Sequence, residues 1–247
     1  MSNTHVIISG GGFESMYVAN LLAGKLPHLY KTPVEKDDLI ILAHVNYGQA
    51  TERHEFDMVC THKTIFDSTY NVKAISISEL NMFTLKEKEA CVLFGGKDSN
   101  KTPELKNRNK KIIKATTDRI RFDFPVLKEH EATFYLGFEP KEKPYDDCTE
   151  EFLNEMYGEL QVKFFLEAPI LGIFKTEEEY LHSLKNDKLY GYVWSCWTPK
   201  YNIPCGTCSH CVKHKKMWGT KNSLMMAPTQ NDTDVTPSFF DMSGLPT

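Results

Sequence analysis

The chain has 247 residues, enough for one sizeable α/β domain or a domain with a small appendage. Its 41% hydrophobic and 25% charged residues are ordinary for a globular protein, and a formal charge of −4 excludes a broad, sequence-independent nucleic-acid surface, which needs a basic surplus. The apolar runs are far too short to span a membrane and the start lacks the pattern of a secretory signal, so a cytoplasmic protein is expected, whose seven cysteines read first as thiols or metal ligands.

In chain order, residues 5–9 (HVIIS) form an apolar run broken by three glycines, and residues 14–22 carry apolar side chains at helical spacing. That pattern predicts strand, glycine turn and helix. Residues 39–46 (LIILAHVN) read as a strand buried on both faces, and residues 73–78, 91–94 and 133–137 read as further strands. Between and after them, helical patterns cover residues 150–157 and 176–184, the latter starting with the capping-box spacing Thr176, Glu179. Residues 95–114 read as a lysine-rich polar loop leading into a basic helix start. Alternating strands and helices predict a doubly wound α/β fold with a parallel, Rossmann-like sheet and a site at the strands' carboxyl ends. The expected division is a nucleotide-binding domain over residues 1–190, a zinc-binding element over 191–220 and a flexible, Asp/Thr/Ser/Pro-rich tail over 228–247.

The turn from Ser9 through Gly10, Gly11, Gly12, Phe13, Glu14 and Ser15 sits where the first strand feeds the first helix. A helix N-terminus presents unpaired amides and partial positive charge, and glycines let an anion approach the backbone. Ser15 is placed to offer its hydroxyl to a phosphate. The segment alone is equally consistent with a tight connection, and it is not a Walker loop because no Lys-Ser/Thr pair follows.

Cys196, Cys205, Cys208 and Cys211 are spaced C-x8-C-x2-C-x2-C. Two-residue gaps let successive sulfurs converge on one ion, so the spacing predicts a closed, structural four-thiolate zinc site.

Together these features resemble the 7-cyano-7-deazaguanine synthase family of the N-type ATP pyrophosphatases. The glycine turn resembles that superfamily's Ser-Gly-Gly-x-Asp-Ser loop, with Gly10 for the first serine and Glu14 for the aspartate. Asn46-Tyr47-Gly48-Gln49 resembles Asp-Tyr-Gly-Gln; Arg108-Asn109 resembles the end of Gly-Arg-Asn; and Tyr145 to Phe152 resembles Tyr-Pro-Asp-Cys-Arg-x-Glu-Phe. The segment from Ala168 to Lys175 resembles Thr-Pro-Leu…Lys, and Pro204 to Cys211 resembles the family's zinc element. Thr149 stands where the family has arginine, and Ala50-Thr51 where it has Arg-His.

The resemblance implies ATP-dependent adenylation of 7-carboxy-7-deazaguanine and transfer to ammonia, giving amide or nitrile. It implies that Ser9 to Phe13 and Ser15 hold ATP, that Glu14 organises Mg²⁺ and that Lys175 neutralises charge. Tyr47, Gln49, Arg108, Asn109 and Asp147 would face the deazaguanine. Relatives in antiphage loci imply an alternative, ligation of the carboxylate to a protein amine. A non-catalytic nucleotide-binding module is the third reading, and a homodimer is admitted but not specified.

Overall fold

The computed structural model describes residues 3–24, 34–95, 104–124, 132–141, 145–160, 164–185, 193–200 and 203–218. The expected tail over 228–247 lies outside them. Five strands, β1 (Thr4–Ile8), β2 (Leu39–Asn46), β3 (Asn71–Ser78), β4 (Ala132–Tyr135) and β5 (Phe164–Glu167), form one parallel sheet in the order β3-β2-β1-β4-β5. The expected doubly wound α/β architecture is therefore the observed one.

The alternation of inward side chains along each strand decides which helices cover which face. Ile7, Ile40, Leu42 and Val72 pack under α1 (Phe13–Leu22) and α2 (Glu52–Asp67), through Tyr17, Leu21, Val59 and Phe66. On the opposite face Val6, Ile41, Ala43, Ile77 and Phe134 meet Ile120 of α4 (Arg108–Asp123). The other face of α4 is covered by α5 (Glu150–Leu160), where Ile113 joins Phe152 and Met156. Helices α6 (Pro169–Ile173) and α7 (Glu177–Lys185) complete the first face, through Ile170, Tyr180 and Leu184.

The chain runs outward from β1 to β2 and β3, then returns to place β4 on the other side of β1. The two connections that leave β1's neighbourhood in opposite directions open a crevice at the carboxyl ends of β1 and β4, where α/β folds bind ligands.

Residues 91–94 are not a strand. Cys91 ends α3 (Leu85–Ala90), and Val92–Phe94 form one 3₁₀ turn closed by Gly95 in the left-handed region at φ 86°. A four-residue apolar run does not distinguish a strand from a buried turn, and here the turn seats Leu93 in the core. Helix α2 carries two histidines and six charged residues within its sequence, with His54 and His62 on the buried face, so its periodicity is masked. The stretch read as a loop with a helix start is, from Arg108 onward, the sixteen-residue helix α4. Strand β5 is a four-residue edge strand.

Candidate functional site

Ser9 leaves β1 still bonded to β2, its amide donating to the Ala43 carbonyl at 2.8 Å. Its hydroxyl then organises the turn: it accepts from the Gly11 amide at 3.2 Å and donates to Ser15 Oγ at 3.0 Å, while Ser15 Oγ donates to the Gly12 carbonyl at 3.2 Å. Gly11 adopts φ +68°, and a Cβ there would lie 2.5 Å from the Glu55 carbonyl oxygen of α2. Only glycine fits between turn and helix. Among the described residues, no side chain caps α1. Its first amides are thus available to an anion, as the first turn of a helix leaves them without intrahelical partners.

The opposite wall comes from β4. A Cβ on Gly137 would lie 2.5 Å from Glu14 Cβ and 2.8 Å from the Glu14 carbonyl carbon, so this glycine lets the end of β4 touch the first turn of α1. Two residues on, the 7% exposed Glu139 faces Glu14. Burial, then the Glu139 carboxylate, raises the Glu14 pKa above the carboxylate range. Burial works in the same direction on Glu139, but Lys213 and the hydrogen bond from Glu14 outweigh it and hold its pKa low. Lys213 bonds Glu139 and reaches Glu177 at 3.2 Å, and Lys141 adds a second cation 3.0 Å from Glu139.

A cavity of about 280 Å³ opens between these walls, lined among others by Gly10, Glu14, Tyr47, Arg108, Asp147 and Cys148. Tyr47 is buried against Phe83 and Phe94, and burial lifts its phenol pKa above the usual range. Burial also works against the charge on Arg108, but Tyr47, Cys148, Asp147 and Glu55 outweigh it and keep the guanidinium protonated. Asn109 acts as a brace: its amide donates to Asp147 Oδ2 at 2.8 Å and its side chain to the Asp147 carbonyl at 3.0 Å. Burial, then Asp147, pushes the Cys148 thiol up to about 12, so it stays a thiol at neutral pH. Gln49 is a second brace, bonding the Val45 carbonyl, the Tyr47 amide and Glu55 Oε2.

Lys175 stands apart. It is exposed at the start of α7, lines neither cavity at the crevice, and its amide donates to Glu179 Oε2 at 2.9 Å. The cations beside the buried carboxylates are Lys141 and Lys213 instead.

The four cysteine sulfurs lie within 4.8 Å of one another, with Cys205 Sγ 3.9 Å from Cys211 Sγ. Zn–S bonds of about 2.3 Å in a tetrahedron space sulfurs roughly 3.8 Å apart, so the cluster fits a metal such as zinc with Cys196, Cys205, Cys208 and Cys211 as its ligands. Amides of Cys205, Thr207 and Cys208 donate to the sulfurs at 3.2–3.4 Å, supporting thiolate charge. Such a closed site supplies folding energy rather than a catalytic position.

This cluster is built onto the glycine turn. The Trp194 amide donates to the Gly11 carbonyl at 2.8 Å, its indole stacks on His54 of α2 at 4.1 Å, and Met58 packs against Trp194, Cys196 and Cys211. Helix α8 (Ser209–Trp218) brings His214 onto Phe13 at 5.6 Å. A second cavity of about 170 Å³ lies in the seam between turn and cluster, faced by Gly12, Ser15, Trp194 and Ser195.

Residues 6–222 match the family described as Queuosine biosynthesis protein QueC. The chain belongs to the QueC family. The match runs from β1 through α8, taking in the turn, the crevice and the cysteine cluster together. A 7-cyano-7-deazaguanine synthase from Aliarcobacter butzleri (strain RM4018) is 24% identical over 203 residues, 77% of this chain and 86% of that protein. No solved structure gives a significant match. Among the described residues, no helix is long and apolar enough to cross a membrane.

Glu139 and Gly137 line the crevice without having stood out in the sequence. Glu139 and Gly137 lie two residues apart just after β4, where the switch-point rule places ligand contacts; Trp194 lies two residues before Cys196.

Proposed function

We propose that this protein uses ATP to adenylate the carboxylate of 7-carboxy-7-deazaguanine and transfers the acyl group to ammonia, forming the amide and, with a second ATP, the nitrile. The observation that carries this reading is the joining of an uncapped glycine turn to a cavity holding a fixed cation, Arg108, opposite the carboxylate pair Glu14 and Glu139. A carboxylate is a poor electrophile; adenylation joins one of its oxygens to the α-phosphate of ATP with loss of pyrophosphate, so that this oxygen can later depart as part of AMP, a good leaving group.

In this reading the polyphosphate lies along Gly10 to Gly12 and the first amides of α1, with Ser15 beside it. Glu14 and Glu139 would hold Mg²⁺, which would supply charge neutralisation for the departing pyrophosphate. Arg108 draws in the substrate carboxylate, while Asp147, one oxygen bonded to Asn109, keeps the other for the N–H edge of the base. Tyr47 and Gln49 shape the wall and keep Glu55 in place.

A second reading, transfer to a protein amine, is favoured by Thr149. Its hydroxyl accepts from the Phe152 amide at 3.1 Å and caps α5, so position 149 supplies a helix cap rather than a cation that could control an amide oxygen. Product masses from 7-carboxy-7-deazaguanine, ATP and ammonium test both. Amide or nitrile with pyrophosphate release supports the first; AMP release only with a partner protein supports the second; no pyrophosphate under either condition defeats both and leaves a binding module.

A further inference from the structure

His44 lies near the end of β2, 1% exposed, yet its ring faces the crevice cavity. Its Nδ1 is 3.1 Å from the Ser9 carbonyl oxygen. A carbonyl only accepts, so Nδ1 donates to it, and in the tautomer this selects Nε2 presents a lone pair. Nε2 has no hydrogen-bond partner among the described residues. The nearest charged atom is Glu55 Oε2, 4.0 Å away. Phe56 flanks the ring at 5.8 Å. The Glu55 carboxylate is itself fixed, by the Gln49 amide at 3.0 Å and by the Thr51 hydroxyl.

Two acceptors at this separation repel each other unless a donor joins them. Leaving a buried acceptor unpaired costs about 1–3 kcal/mol, so the gap is built for something with two hydrogens to give. A nitrogen about 2.9 Å from each atom subtends roughly 90° between them, about 20° less than the angle between two N–H bonds, so each hydrogen bond bends by only about 10°. We propose that the gap between His44 and Glu55 seats the attacking amine, binding ammonia or a primary amine through two N–H bonds beside the glycine turn.

This rests on the acyl-transfer reading and adds its nucleophile site. As the nitrogen lone pair forms the C–N bond to the adenylated carbonyl, AMP leaves with the electrons of the broken C–O bond. One N–H proton passes to His44 Nε2. The imidazolium then lies against the Glu55 carboxylate, so the same pair that binds the amine stabilises the proton it loses.

Two experiments test the seat. In wild-type protein labelled with ¹⁵N-histidine, with the His44 signal assigned by His44→Gln, ammonium chloride should shift His44 Nε2 and potassium chloride at equal ionic strength should not. An equal response to both salts means the gap holds only water and overturns the proposal, whatever the variant does. In the steady state, His44→Gln should raise the ammonium KM at least tenfold, with a much smaller effect on ATP–pyrophosphate exchange measured without an amine. An unchanged KM, or exchange lost in step with amide formation, overturns the seat. Absence of exchange in the wild type defeats the adenylation reading instead, and the ammonium response of His44 then decides the seat alone.

Discussion

Replacing Gly137 by alanine would drive a methyl group into the start of α1. Its Cβ would sit 2.5 Å from Glu14 Cβ, 2.8 Å from the Glu14 carbonyl carbon and 3.1 Å from the Ser15 amide nitrogen. Two of these atoms are backbone, so no rotamer change relieves the contact. Either β4 withdraws from α1 or the glycine turn moves with its helix. Overpacking of this kind costs about 1–3 kcal/mol, which at roughly 2–4 °C per kcal/mol for a chain of this size lowers Tm by about 2–12 °C. Gly10→Ala is the control, since a Cβ there meets nothing within 4 Å and should change stability by less than about 0.5 kcal/mol. Thermal melts read the stability difference, and ATP–pyrophosphate exchange reads the turn. A Gly137→Ala protein that melts and exchanges like the wild type would show that β4 and α1 do not meet as described.

Cys208→Ser should abolish stoichiometric zinc and lower Tm sharply, because the binding energy of a structural metal is folding energy; metal analysis with a parallel melt checks both. Met58→Ala, at a side chain 2% exposed between the turn and the cysteines, should lose about 2–5 kcal/mol in a urea melt and release zinc to a chelator faster. Glu14 has a raised pKa in the fold, so the folded state binds its proton more tightly and loses stability as pH rises from the ordinary carboxylate range through the raised one. Melts of the wild type without Mg²⁺ between about pH 5 and pH 9 should show that decline, and Glu14→Gln should flatten it. Calorimetry should find 7-carboxy-7-deazaguanine bound more tightly than guanine, since guanine brings no carboxylate to Arg108; equal affinity would remove Arg108 from that role.

The first strand, turn and helix could be read from residues 5–22 because periodicity and glycines are local signals. The cysteine site was legible for a similar reason, its ligands being set by spacing within sixteen residues. What escaped was created by contacts between distant segments. Gly137 looks like any glycine until α1 is laid against it, and Glu139 looks like a surface charge until Lys213 arrives from another helix. His44 sits inside a correctly read apolar strand, where sequence alone gives no hint that a nitrogen faces an opening. Lys175 shows the converse, since a place in a matching segment did not bring it to the crevice.

The bond from Trp194 to Gly11 also sets an order in time. Domains fold from the N-terminus as the ribosome proceeds, and all five strands are complete by Glu167. The glycine turn, however, lacks one wall until Trp194 and the cysteines behind it have left the exit tunnel. A nascent chain can therefore complete its sheet before it completes its crevice.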